Sequence, residues 1–191
     1  MADPTRFVWL DLEMTGLDDK TCVIIEMAMI VTDGELNELA LVEQCIWQPE
    51  SALETMSPFV RKMHTDNGLL DKVRASSTSQ AEAEQKAIEV LLQHVPYKKG
   101  ILAGNSIWQD RRFLLAHMPT FEAMLHYRQI DVSTIKVLSK QWYGEGGNAP
   151  GKPSTHTALD DIRASIAELR WYRQNIFSVA AGTTPVAGRG V

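Results

Sequence analysis

Three β-type runs follow one another before the first long helix, and that order limits the fold more than any other feature of the chain. Residues 7–13, Phe-Val-Trp-Leu-Asp-Leu-Glu, read as a strand; Gly16-Leu-Asp-Asp is rich in turn formers, and a β-branched run covers residues 23–32. After Asp33 and Gly34 a third strand is expected through residues 41–47. Strands joined by short connections pair antiparallel, because a parallel return needs a crossover of about a dozen residues. The first half therefore predicts a three-stranded meander. The second half alternates instead. Ser79-Gln-Ala-Glu82 has capping-box spacing and opens a helix to about residue 95, which Pro96 ends. Ile101-Leu-Ala-Gly104 reads as a short buried strand, followed by a helix over 111–117, a second after Pro119, a strand over 129–131 and a helix over 132–142. Such alternation implies parallel pairing.

Between these halves residues 51–74 are mixed, with short helical pieces around 58–63 and 69–73. Residues 144–153 form a Gly/Pro/Asn loop, and the last helix is expected over about 157–176, with Leu159, Ile162, Ile166 and Leu169 on successive turns. The tail 178–191 is small, Gly-rich and aperiodic, so residues 1–177 are expected to be one domain and 178–191 a disordered appendage. A length of 191 residues suits a single core. No window approaches the ~18 apolar residues of a membrane span. Cys22 and Cys45 lack CxxC spacing and the first residues lack an apolar signal core, so the expected setting is a reducing cytoplasm with no disulfide framework or structural zinc.

Four carboxylates stand where the pattern calls for apolar or ordinary residues. Asp11 and Glu13 lie two apart in the first strand, so both point to one face, where like charges repel. A hard divalent cation would remove that conflict, although alternating acids on an exposed strand face are also common. Asp110 follows the strand ending at Gly104 and begins a helix, where it would equally suit the helix dipole. Asp161 lies in the early turns of the last helix, five residues after His156.

As a set these residues resemble the oligoribonuclease group of 3′-to-5′ exonucleases, whose motif is Asp, Glu, Asp, Asp with a His five residues before the last Asp. The stretches that carry the resemblance are Trp9-Leu-Asp-Leu-Glu-Met-Thr-Gly-Leu, Gly104-Asn-Ser-Ile-Trp-Gln-Asp-Arg-Arg-Phe-Leu, His126-Tyr-Arg, Asp131-Val-Ser-Thr and His156-Thr-Ala-Leu-Asp-Asp-Ile-Arg. They span residues 7–177 in the family's order. The resemblance implies an α/β, ribonuclease H-like fold: a mixed five-stranded sheet, its first three strands antiparallel, flanked by helices. This agrees with the reading from periodicity and turns.

The same resemblance implies two-metal hydrolysis of very short single-stranded RNA to nucleoside 5′-monophosphates, with two Mg²⁺ or Mn²⁺ ions. Asp11 would bridge them, Glu13 and Asp161 would complete one site, Asp110 would support the other, and His156 would take the proton of the attacking water. Leu17 and Phe59 would wedge or stack on the bases, although relatives often carry Trp where this chain has Phe59. His64 matches a position near the scissile phosphate, and Ser106 is placed to donate to a phosphate. A homodimer is also implied, with Tyr127 and Arg128 reaching the partner's site. A net charge of −5 argues against a protein that coats long nucleic acid, but not against a very small oligonucleotide. The alternatives are a proofreading- or repair-type exonuclease acting on longer DNA or RNA, a noncatalytic nucleic-acid-binding module of the same fold, and a His-based metallohydrolase. The last lacks HxH or HxxxH spacing, and the second would usually have lost an acid or the His.

Overall fold

The computed structural model describes residues 5–151 and 157–177. Strands β1 (Arg6–Met14), β2 (Ile24–Asp33) and β3 (Glu38–Cys45) form the meander, and β4 (Gly100–Gly104) and β5 (Gln129–Asp131) follow among the helices. The sheet order is β3-β2-β1-β4-β5, antiparallel from β3 to β1 and parallel from β1 to β5. Five strands, mixed as expected, therefore put β1 at the centre.

Helices cover both faces. On one side Val8, Leu10 and Leu12 of β1 and Met27, Met29 and Val31 of β2 pack against α4 (Gln80–His94) and α5 (Trp108–His117). On the other, Trp9, Ala28, Ile30 and Ala103 pack against α7 (Val132–Tyr143) and α8 (Ala158–Asn175). Residues 24–32 of β2 are buried without alternation because both faces are covered. Short helices α1 (Glu50–Leu53), α2 (Pro58–Asp66) and α3 (Leu69–Ala75) close the end of the meander around Ile25, and α6 (Pro119–Glu122) packs on α5.

Local chemistry sets the ends of several elements. Ser79 and Glu82 form the reciprocal capping box at α4, while Thr157 caps α8 and Asp131 caps α7. Several boundaries differ from the sequence expectation, among them the start of β3 at Glu38 and the ends of α2 and α3, and two of the differences have a clear cause. The third strand ends at Cys45, because Trp47 N–H turns to the Thr78 carbonyl (2.8 Å) in the approach to α4. Helix α5 begins at Trp108, three residues early, since no side chain caps it and the sequence carries no start signal there. In the described part of the expected loop, residues 144–151, a 3-10 turn covers Gly144–Gly147. The expected tail, residues 178–191, lies outside the described residues.

Gly104 allows the last residue of β4 to pass close to β1. A Cβ there would stand 2.8 Å from Ile107 Cδ1 and 3.0 Å from the Leu10 carbonyl oxygen. Gly104→Ala should therefore cost about 1–3 kcal/mol, measured as a lower urea midpoint with an unchanged slope. An unaltered midpoint would show that β1 and β4 can separate freely here.

Candidate active site

Strand alternation decides which carboxylates meet. Trp9, Asp11 and Glu13 share the face of β1 that α8 covers. On α8, Ala158, Ile162 and Ile166 bury against that face, and Asp161, adjacent to Ile162, is carried with them. One carboxylate oxygen from each of Asp11, Glu13 and Asp161 lies within 4.8 Å of the other two.

Asp110 joins from a different element. The parallel ladder of β1 with β4 stops at the Trp9–Ala103 pair, so the β1 edge beyond it has no strand partner on that side. Asp110, in the first turn of α5, accepts the Leu12 N–H there at 3.0 Å and is 7% exposed. A buried amide is satisfied, and a fourth carboxyl is fixed near Asp11.

The electrostatics record the crowding. Burial first, then the charges of Asp110, Glu13, Asp161 and Glu26, hold Asp11 well above the ordinary carboxylate range. Glu13 is pushed up to about 8 by burial, with Glu26, Asp161 and Asp110 adding to it. Asp110 is pushed up to about 7, burial outweighing the N–H donated by Leu12. Among the described residues no Lys or Arg forms an ion pair with Asp11, Glu13 or Asp161. Clustered hard oxygen donors with no partner cation among the described residues suit a divalent metal ion.

Glu26 was not singled out in the sequence. It stands directly across from Glu13 in the β1–β2 register, is 3% exposed, and accepts the Ala158 N–H at the start of α8 (3.3 Å). Burial raises its pKa, against the lowering effect of that N–H. The available signal was one acid inside an otherwise apolar strand.

The remaining candidates divide by position. His64, on α2, is fully buried; its Nε2 donates to the Met14 carbonyl (3.1 Å), and its Nδ1, without a hydrogen-bond partner, lies 3.9 Å from Glu13. It thus faces the acid cluster. Burial lowers its pKa, opposed by the Met14 carbonyl. Leu17 (71% exposed) and Phe59 (78% exposed) project into solvent, the first on the loop after β1 and the second on the helix that carries His64. Gln109 of α5 holds the Leu17 carbonyl at 2.7 Å. Ser106 turns its amide to Asp131 and Ser133 (2.9 and 3.0 Å), and its hydroxyl lies 3.3 Å from Ser133 Oγ. His156 lies outside the described residues.

Tyr127 and Arg128 stand apart. His126 N–H donates to the Gly100 carbonyl (2.8 Å), and Gly100 pairs with Arg6, so this segment is level with the start of β1. Asp11 lies five residues farther along that strand, roughly 17 Å at about 3.3 Å per residue. Tyr127 is 73% exposed, stacked on His126 with Arg128 over its ring.

A family model described as exonuclease matches residues 8–169. An oligoribonuclease of Francisella tularensis subsp. tularensis (strain WY96-3418) is 47% identical over 180 residues, covering 94% of this chain and 100% of that protein. The chain belongs to the oligoribonuclease family. An oligoribonuclease of Azoarcus sp. (strain BH72) is 46% identical over 93% of this chain and 98% of its own length. Membership makes this chain a nuclease, a hydrolase of phosphodiesters, as the acid set suggested.

Solved structures confirm the fold. Exonuclease I of E. coli, in complex with a 5cy-dT13 oligonucleotide, superposes with a TM-score of 0.71 at 19% identity over 91% of this chain. Exonuclease I from Methylocaldum szegediense gives 0.70 at 22% identity. This chain spans only 42% and 41% of those two proteins. The ribonuclease H-like architecture expected from the sequence is the one observed. Among the described residues no helix is long and apolar enough to cross a membrane.

Proposed function

We propose that this chain is a 3′-to-5′ exoribonuclease that degrades very short RNA, dinucleotides above all, to nucleoside 5′-monophosphates, working as a cytoplasmic homodimer. The observation that carries the reading is the convergence of Asp11, Glu13 and Asp161 on one point in a member of the oligoribonuclease family. Asp11, Glu13 and Asp161 would hold one of two divalent cations, Mg²⁺ or Mn²⁺; Asp110 would support the second, and Asp11 would serve both. Such cations stabilise negative charge on the attacking and leaving oxygens of a phosphodiester. His156 accepts the proton of the attacking water, a task suited to an imidazole with an ordinary pKa near 6.5. Leu17 and Phe59 lie against the bases, Ser106 contacts phosphate, and His64 stands near the scissile phosphate, behind Glu13. Residues 1–177 form the catalytic domain. The protein whose bound oligonucleotide is named above, E. coli exonuclease I, supports a single-stranded nucleic-acid substrate for this fold.

The test is incubation with Mg²⁺ and end-labelled RNAs of graded length, resolving every intermediate. A small acidic protein with a local phosphate site gains little from added nucleotides, so dinucleotides should be cut at least as fast per end as longer chains. A rate that climbs over tens of nucleotides would favour the longer-substrate reading.

Tyr127 and Arg128 stand too far along the sheet to share a phosphate with Asp11 of their own chain. A second copy brings them to the site, where Arg128 can hold a 5′ phosphate bidentately. Asp11→Ala and Arg128→Ala proteins, each poorly active, should regain activity when refolded together. One site of each mixed dimer then has both intact carboxylates and an intact partner arginine. No gain above the parents, in a mixture shown by mass to contain heterodimers, would overturn the shared site.

A further inference from the structure

The two carboxylates that lie outside β1 arrive on separate elements, Asp110 on α5 and Asp161 on α8, and their spacing must be fixed by something other than strand geometry. One amide links the segment leading into α5 with α8. Asn105, the residue after β4 in the segment leading to Asp110, donates through Nδ2 to Ser165 Oγ of α8 at 2.7 Å and to Glu168 at 3.3 Å. Its Oδ1 accepts from Ser133 Oγ at 3.1 Å. Ser165 Oγ in turn donates to the carbonyl of Asp161 at 2.8 Å.

An amide is suited to this place. It offers two donors and an acceptor on one short side chain, whereas a carboxylate could only accept and would face Glu168. Ser165 and Glu168 are 4% and 7% exposed, so the link runs through buried space where loose partners are costly. Ser106, the next residue, sits at a φ of 51°, and its amide bonds to Asp131 and Ser133 hold that unusual conformation. The whole connection from β4 to α5 is pinned.

We propose that Asn105 is a positioning residue: it ties the segment carrying Asp110 to the turn of α8 carrying Asp161, and so sets the spacing at which the carboxylates hold divalent cations. This rests on reading the acid cluster as a cation site. Partners that orient ligating side chains typically contribute about 10–100-fold in metal affinity or activity. The tie would do so without touching substrate.

The experiment is titration of metal-free protein with Mn²⁺ by calorimetry, well below each variant's melting temperature, for wild type, Asn105→Ala, Ser165→Ala and the double variant. Ser165→Ala guards against misfolding, since alanine is the better helix former. In Asn105→Ala, Glu168 retains Lys136 at 3.3 Å and Tyr172 OH at 3.3 Å. Each single variant should bind Mn²⁺ at least about tenfold more weakly, and kcat on a dinucleotide should fall in parallel while KM changes little. The double variant should be no worse than the weaker single, because both remove one link. Folded variants with wild-type Mn²⁺ affinity, or losses that simply add, would overturn the tie while wild-type binding upheld the cation site. Wild-type protein that bound no Mn²⁺ would overturn the site reading and the inference together.

Discussion

Asp11→Asn protein should melt in chelator at or above the wild-type temperature yet hydrolyse short RNA at least about 10³-fold more slowly, the loss expected when a principal source of charge stabilisation is removed. The two halves of that result have one cause. Asp11 is half-buried among Asp110, Glu13, Asp161 and Glu26, so without a cation its ionised form is repelled by all four. An amide of equal size removes the repulsion and keeps the packing. It also removes a carboxylate that interacts with both Asp161 and Asp110, and with it a ligand that would help hold two cations close together. Asp161→Asn should behave alike. Melting curves and single-turnover rates on the same samples decide the matter. A variant with near wild-type rate would show that these carboxylates are not the cation ligands, and one that unfolds would show that their charges stabilise the fold.

Mn²⁺ should stabilise the protein far more at pH 8 than at pH 5.5. Glu13 is raised from 4.5 to about 8 and Asp110 from 3.8 to about 7 in the metal-free fold. The folded chain therefore holds protons that the unfolded chain releases, and stability falls with rising pH between those limits. Below about pH 3 both states are protonated and nothing is lost; above about pH 8 the full cost is present, on the order of a few kcal/mol. For a chain of this length each kcal/mol is about 2–4 °C in Tm, so the metal-free protein should lose roughly 10 °C across the window through these groups. A bound cation replaces the protons, so its affinity and the Tm rise both grow with pH. Glu13→Gln should flatten part of the metal-free decline. An equal Tm rise at both pH values would mean that the cation binds elsewhere.

Several parts of this site were legible in the chain because they depend on neighbours in sequence. A period of two puts Asp11 and Glu13 on one face, a capping box starts α4, and strand–helix alternation forces β4 and β5 parallel to β1. Those rules agreed with the fold class that the family resemblance implied, and the resemblance itself rested on the full set of acids, His156 and the stretches around them. Where no local signal existed the reading fell short: α5 starts without a capping side chain, and β3 is ended by a contact with Thr78.

What tertiary structure alone decided is the company each acid keeps. Asp110 finds Leu12, His64 is drawn into the core beside Glu13, Glu26 settles opposite Glu13, and Asn105 reaches Ser165. Apart from Glu13 and Glu26, which sit on consecutive strands, these pairs join elements distant in sequence, and nothing in the spacing of one element specifies the partner on another. Sequence alone determined which carboxylates the chain possesses and which way they face. The raised pKa values of Asp11, Glu13 and Asp110 and the common focus of the set arise only when α5 and α8 close on β1, because desolvation and repulsion depend on distance through space rather than along the chain.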